Sequence, residues 1–186
     1  MSKTEIVLIV LAIAADSFAT SWFTGALHKK LDEKLDAKFP LFISVGRTVL
    51  MAVGIVAGLY AGSLMPGSGY LVGMLLITVI GIKNGIDAWN FNPEERVIFV
   101  DNTKTMLLLA LAGSIGTFLT GIGLGIAGVD LLFAIAVTAV SALLFSSSGV
   151  LAGKFFGYKP GIRFAGFLPA IVVIGIWLRM LILNLL

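Results

Sequence analysis

Long apolar runs alternate with short polar breaks along the whole chain of 186 residues. The runs cover about residues 5–27, 39–61, 68–90, 104–127, 130–152 and 161–183. A helix needs roughly 20 mainly apolar residues to cross a hydrocarbon core about 30 Å thick, and each run meets that length. The breaks carry the punctuation. His28 to Lys38 is a charged loop, and Met65-Pro66-Gly67-Ser68-Gly69 reads as a tight turn. Asn90 to Lys104 is polar, Gly128-Val129-Asp130 is a very short turn, and Gly157-Tyr158-Lys159-Pro160-Gly161 closes the fifth run. The pattern predicts an all-α integral membrane protein with six transmembrane helices. The first run exceeds the usual 7–15 residues of a signal-peptide core and contains Asp16, so it reads as a retained span.

The apolar pattern repeats internally. Leu11-Ala12 and Phe18-x-Thr20-x4-Gly25 recur as Leu111-Ala112 and Phe118-x-Thr120-x4-Gly125. Gly54-x-x-Ala57-Gly58-x3-Gly62 recurs as Gly149-x-x-Ala152-Gly153-x3-Gly157, and Val79-Ile80-Gly81-Ile82 as Val173-Ile174-Gly175-Ile176. The three matches keep the same order, at offsets of 100, 95 and 94. Three spans per half is an odd number, so the second half enters the bilayer from the opposite side. The expected organisation is a three-helix repeat over 1–90, a cytoplasmic linker over 91–103 and a second, inverted three-helix repeat over 104–186. Inverted repeats are common in secondary transporters, where two near-equivalent halves exchange conformations about a midplane site. The glycine ladders fit close helix packing in lipid. Gly121, Gly123 and Gly125 fall on several helix faces and mark a candidate for local unwinding.

Composition narrows the class. Hydrophobic residues make up 59% of the chain, charged residues 12%, and mean hydropathy is +1.07. Soluble domains average about 45–50% apolar and 25% charged. Cysteine is absent and His28 is the single histidine, which removes thiolate sites, His-cluster metal sites and Cys nucleophiles. No phosphate loop, HExxH or GxSxG motif occurs, so an enzyme is not expected and no cofactor is implied. The net charge of +3 gives no footing for nucleic acid; the basic residues follow topology instead. Lys29, Lys30, Lys34, Lys38, Arg96, Lys104, Lys154, Lys159 and Arg163 lie after spans one, three and five, against Lys3 alone on the other side. That asymmetry puts those loops in the cytoplasm and both termini outside. The bilayer is the expected environment, with a prokaryotic plasma membrane as the expected location. A homodimer or a partner in a membrane complex stays open.

Charge inside the spans points to function. Asp16 is the twelfth residue of its span, about 17 Å from either end at 1.5 Å per residue. A charge at that depth costs about 2.5–3.5 kcal/mol on insertion scales and usually faces a bundle interior or watery cavity. An ion or proton site and a structural ion pair both fit. Arg47, on span two, is the obvious partner for such a pair. Lys83 can pair with Asp87 at i+4, and Arg179 reads as interfacial, like Trp177. Hydroxyls and amides that could line the same route include Ser17, Thr20, Ser21, Thr48, Asn84, Thr117, Thr120, Thr138 and Ser141. Ser17 and Thr20 stand beside or one turn from Asp16, and Thr117 and Thr120 are their repeat partners.

Ala15-Asp16-Ser17-Phe18-Ala19-Thr20-Ser21 resembles the D-x-F/A-A-x-S motif of the small manganese efflux pumps, the MntP type, of the LysE exporter superfamily. Length, six spans and a 3+3 repeat agree over almost all of the chain. The resemblance implies a secondary transporter that exports Mn²⁺ or a related divalent cation, with Asp16 as the metal-facing carboxylate near the ion path. The family carries a second Asp in span four, where this chain has Gly116, and tends to carry an acid early in span two, where it has Arg47. Hard divalent cations want oxygen ligands, with carboxylates supplying charge. Two further readings follow from the departures. One is a transporter of a non-metal solute that uses Arg47. The other is a non-transporting structural subunit in which Asp16 and Arg47 form a structural pair.

Overall fold

A computed structural model describes residues 2–27, 33–64, 67–89 and 103–157, together with 167, 171–172 and 174–176. The described residues are all-helical, without strands. In chain order the helices are α1 (Lys3–Leu27), α2 (Glu33–Ser63), α3 (Gly69–Trp89), α4 (Thr103–Gly113), α5 (Ile115–Ile126) and α6 (Leu131–Phe156). Segments Lys3–Ala26, Lys38–Ser63, Gly69–Asp87 and Leu131–Phe156 are each long and apolar enough to cross a membrane. Surface composition agrees. Leu41, Val45, Val49, Val53 and Val56 of α2 are each more than half exposed and, at spacings of four and then three, form one stripe, which suits a lipid-facing side.

Three expectations are corrected. Residues 33–38, read as loop, open α2 instead. The run 104–127 is not one helix. It breaks at Ser114 (φ −96°, ψ −2°), whose N–H bonds the Leu111 carbonyl at 3.0 Å in a tighter turn. The glycines at 121, 123 and 125, expected to unwind, lie within regular α5. They are held there by close neighbours: a Cβ on Gly125 would come within 2.3 Å of the Ile55 carbonyl oxygen. The short turn at 128–130 is as expected. Gly128 supplies a positive φ of 73°, and Asp130 caps α6 by accepting from the N–H groups of Leu132 and Phe133. The expected linker over 91–103 and sixth span over 161–183, with Trp177 and Arg179, fall largely outside the described residues, although 171–172 and 174–176 are helical.

Helix pairing follows the glycine ladders. A Cβ on Gly54 would meet the Phe118 carbonyl oxygen at 2.3 Å, and one on Gly58 the Ile122 carbonyl oxygen at 2.2 Å. A Cβ on Gly149 would meet the Phe18 carbonyl oxygen at 2.6 Å, and one on Gly153 that of Trp22 at 2.2 Å. So α2 lies on α5 as α6 lies on α1, each pair parallel and close enough that only glycine fits. α3 runs antiparallel to α5, with Gly73 against Gly123 and Gly69 against Ile126.

The interior is layered. One apolar cluster gathers Ile9, Val10, Ile13, Met51, Ile55, Met74, Ile77 and Leu124, and a smaller one Phe39, Ile43, Ala110 and Val150. Between them lies a buried polar belt: Ser17, Ser21, Arg47, Thr117, Thr138, Ser141 and Ser146. The site of interest sits in this belt.

Candidate functional site

Asp16 and Arg47 form an ion pair, Nη2 to Oδ2, at 2.9 Å. The backbones of α1 and α2 scarcely approach one another there, so the long guanidinium stem spans the gap. Arg47 Nη1 also donates to the Ile13 carbonyl at 3.1 Å. The pair is lopsided: the Arg47 side chain is 3% exposed and that of Asp16 40%. The carboxylate therefore meets the outside of the protein fold while its counter-ion is sealed within.

Behind the guanidinium, Arg47 Nε makes no hydrogen bond to any described residue. Arg47 borders a small cavity, about 10 Å³, also lined by hydroxyl-bearing Thr117, Thr138 and Ser141 among apolar neighbours. That volume is about what one water requires. Thr138 donates to the Ala134 carbonyl at 2.7 Å and Ser141 to that of Val137 at 2.6 Å. Their oxygen lone pairs remain as acceptors toward the cavity.

The hydroxyls singled out from sequence divide into two kinds. Thr20 donates to the Asp16 carbonyl and Thr120 to the Gly116 carbonyl, both at 2.9 Å. Thr48 donates to the Ser44 carbonyl of its own helix at 2.7 Å, the ordinary behaviour of a membrane threonine. Ser17 and Thr117, 100 positions apart, are almost fully buried and their hydroxyl oxygens have no partner among the described residues. A buried unpaired hydroxyl costs about 1–3 kcal/mol, so these two are marked by structure as well as by spacing. Ser21 binds Ser146 across α1 and α6 at 2.8 Å. Lys83 pairs with Asp87 at 2.7 Å on the exposed face of α3, clear of the belt. No group of three or more His, Cys, Asp or Glu able to hold a metal occurs among the described residues. The recorded partner of the Asp16 carboxylate is the Arg47 guanidinium.

Sequence reasoning did not single out the α4–α5 break. Its signal is faint: Gly113-Ser114-Ile115-Gly116 lacks proline. The break places the start of α5 within one turn of Gly116 and Thr117, beside the belt.

Comparison with known proteins adds a family and relatives. A family model described as "Putative manganese efflux pump" (Mntp) matches residues 30–181. A protein of Neisseria gonorrhoeae named "Putative manganese efflux pump MntP" is 29% identical over 180 residues, covering 95% of each chain. Proteins of the same name from Aliarcobacter butzleri and Methanobrevibacter smithii are each 27% identical. The first match covers 96% of this chain and 98% of the relative, the second 88% of each. No solved structure matches. The family match begins beyond Asp16, whereas the match to the Aliarcobacter butzleri protein, over 178 residues, takes in nearly the whole chain.

Proposed function

The chain belongs to the Mntp family, described as "Putative manganese efflux pump", and from that premise we propose a membrane secondary transporter that exports Mn²⁺ or a related divalent cation. The chain crosses the bilayer six times as two inverted three-helix repeats, with α4 and α5 together making the fourth span. Asp16 is the carboxylate that receives the cation at mid-depth. Arg47 is its resident counter-ion. Ser17, Thr20, Thr117 and Thr120 line the route, and Thr48 stands at its margin.

The observation that carries this reading is the unequal burial of the Asp16–Arg47 pair. An exposed carboxylate held by a sealed guanidinium is a neutral site that opens on one side. A divalent cation arriving at Asp16 competes with Arg47 for the same oxygens, so the empty carrier never presents a bare charge to lipid. The equivalent glycine contacts of α1 with α6 and of α5 with α2 support a repeat. Helix direction supports its inversion. α2 runs parallel to α5. It runs antiparallel to α1, because Arg47 meets Ile13 and Asp16 while Met51 shares the Arg47 cavity with Val10. The corresponding helices α1 and α5 therefore point in opposite directions, as alternating access by two opposed halves requires.

A non-metal solute bound by Arg47 fits less well, since the guanidinium is sealed and both Nη atoms are engaged. The test is Mn²⁺ flux into proteoliposomes holding a Mn²⁺-quenched dye. Asp16→Asn is expected to abolish flux with the fold intact by gel filtration. Unchanged flux would remove Asp16 from the mechanism.

A further inference from the structure

Asn84 carries the only carboxamide among the described residues, and that group makes no hydrogen bond to any of them. It projects from α3 toward Gly116 at the start of α5. A Cβ on Gly116 would stand 3.8 Å from Asn84 Oδ1 and 3.9 Å from Nδ2. Glycine at 116 therefore leaves the space beside the amide open. The amide borders a groove of about 10 Å³ shared with Ala12 and Ile13 of α1, Ile80 and Gly81 of α3 and Thr120 of α5. The groove is otherwise apolar apart from Thr120, whose hydroxyl proton is committed to the Gly116 carbonyl. The amide is half-buried rather than sealed, and no hydrogen bond to a described residue gives a reason for its place beside Gly116.

Helix direction supplies one. α3 is antiparallel to α5, which is antiparallel to α1, so α1 and α3 run parallel. In the groove, Ala12 and Ile13 lie opposite Ile80 and Gly81. One turn further along, α1 reaches Asp16, α3 reaches Asn84, and α5, running the other way, reaches Gly116. Asn84 lines the groove itself, and Asp16 lies one turn beyond Ala12 and Ile13, so the amide and the carboxylate stand at a similar level on parallel helices.

We propose that Asn84 is a cation ligand. Its carbonyl oxygen joins the Asp16 carboxylate to form the receiving site, in the space that Gly116 leaves clear. The ligand is a hard divalent cation, which readily accepts Asn carbonyl oxygens beside carboxylates. A neutral second donor suits a site in which Arg47 already balances the one negative charge. The proposal rests on Asp16 receiving the cation, and it adds a residue, a helix and a ligand type to that reading.

The test is Mn²⁺ binding to the purified full chain, read from the free-ion paramagnetic resonance signal, with proteoliposome flux measured alongside. Asn84→Ala is expected to weaken Mn²⁺ binding about tenfold, the loss of one donor to a charged ligand. Asn84→Asp is expected to bind at least as tightly as the parent. Gly116→Asp placed in the Asn84→Ala background is expected to recover binding, because an acid at 116 projects into the space the amide occupied. A purely structural asparagine predicts no such recovery. Unchanged binding in Asn84→Ala, or an equal defect in Asn84→Ala and the double variant, overturns the proposal. Asn84-dependent binding without Mn²⁺ flux in the parent chain would sink the export reading and leave the ligand assignment standing.

Discussion

A guanidinium with 3% of its surface exposed and a carboxylate with 40% exposed are unequal partners, and removing either has unequal consequences. Asp16→Ala strands a buried cation with the Ile13 carbonyl alone and is expected to destabilise by about 3 kcal/mol, near the lower end for a broken buried pair. Arg47→Met removes the sealed charge and fills the stem's volume, leaving behind a carboxylate that the protein does not enclose. Its expected cost is about 1 kcal/mol or less. Thermal unfolding in one detergent ranks the two, and an Arg47→Met protein the less stable of the pair would contradict the geometry. The pairing itself was legible in the sequence, because Asp16 and Arg47 were the two charges too deep to reach water easily. The distinction among hydroxyls was not. Thr48 and Thr20 bond backbone carbonyls one turn away, while Ser17 and Thr117 are left unpaired, and that depends on which helix face meets which neighbour. Asn84 stood among several candidate polar residues for the same reason. Only the fold puts it opposite Gly116.

At the level of helices, run length gave four helices long and apolar enough to cross a membrane, and glycine spacing gave their close contacts. Four of the long helices follow the apolar runs to within a few residues, apart from the early start of α2 at Glu33. The fourth run misled because intrinsic propensity and packing act in opposite directions there. Gly121, Gly123 and Gly125 weaken an isolated helix by about 1 kcal/mol each relative to Ala. Here they let α5 sit against the backbones of α2 and α3, and that contact keeps the helix regular. The chain yields instead at Gly113 and Ser114, where a Cβ on Gly113 would meet nothing within 4 Å. Substitution should separate these roles. Gly58→Ala and Gly153→Ala each drive a methyl into a backbone oxygen at 2.2 Å and are expected to cost about 1–3 kcal/mol or more. As equivalent positions they should cost similar amounts. Gly113→Ala should leave stability unchanged or raise it by up to about 1 kcal/mol. Melting temperatures of the three variants in detergent check the ranking, and a tolerant Gly58→Ala would mean the helices do not pack so closely.

For the whole molecule, the distribution of charge along the chain is expected to decide which way the bundle faces. Nine basic residues on one set of loops against Lys3 on the other is a bias that sets orientation during insertion. The described helix directions are compatible with it. α1, α3 and α6 run one way and α2 and α5 the other, so the starts of α1 and α6 share a side, with Lys154 near the far end of α6. The absence of cysteine makes the orientation directly measurable. Ser2→Cys, before α1, is expected to react with a membrane-impermeant thiol reagent in intact cells. Lys104→Cys, in the first turn of α4, and Lys154→Cys, in the last turn of α6, are expected to stay unlabelled until the membrane is permeabilised. Because Ser2 and Lys104 are exposed and Lys154 is half-buried, labelling reports side rather than folding. If Lys104→Cys and Lys154→Cys label in intact cells and Ser2→Cys does not, the bundle is inverted. Asp16 would keep its partner, but the transporter would face the other way, and a cation meeting that carboxylate from the loop-rich end would arrive from outside. Export through this site therefore depends on the sidedness that those three thiols report.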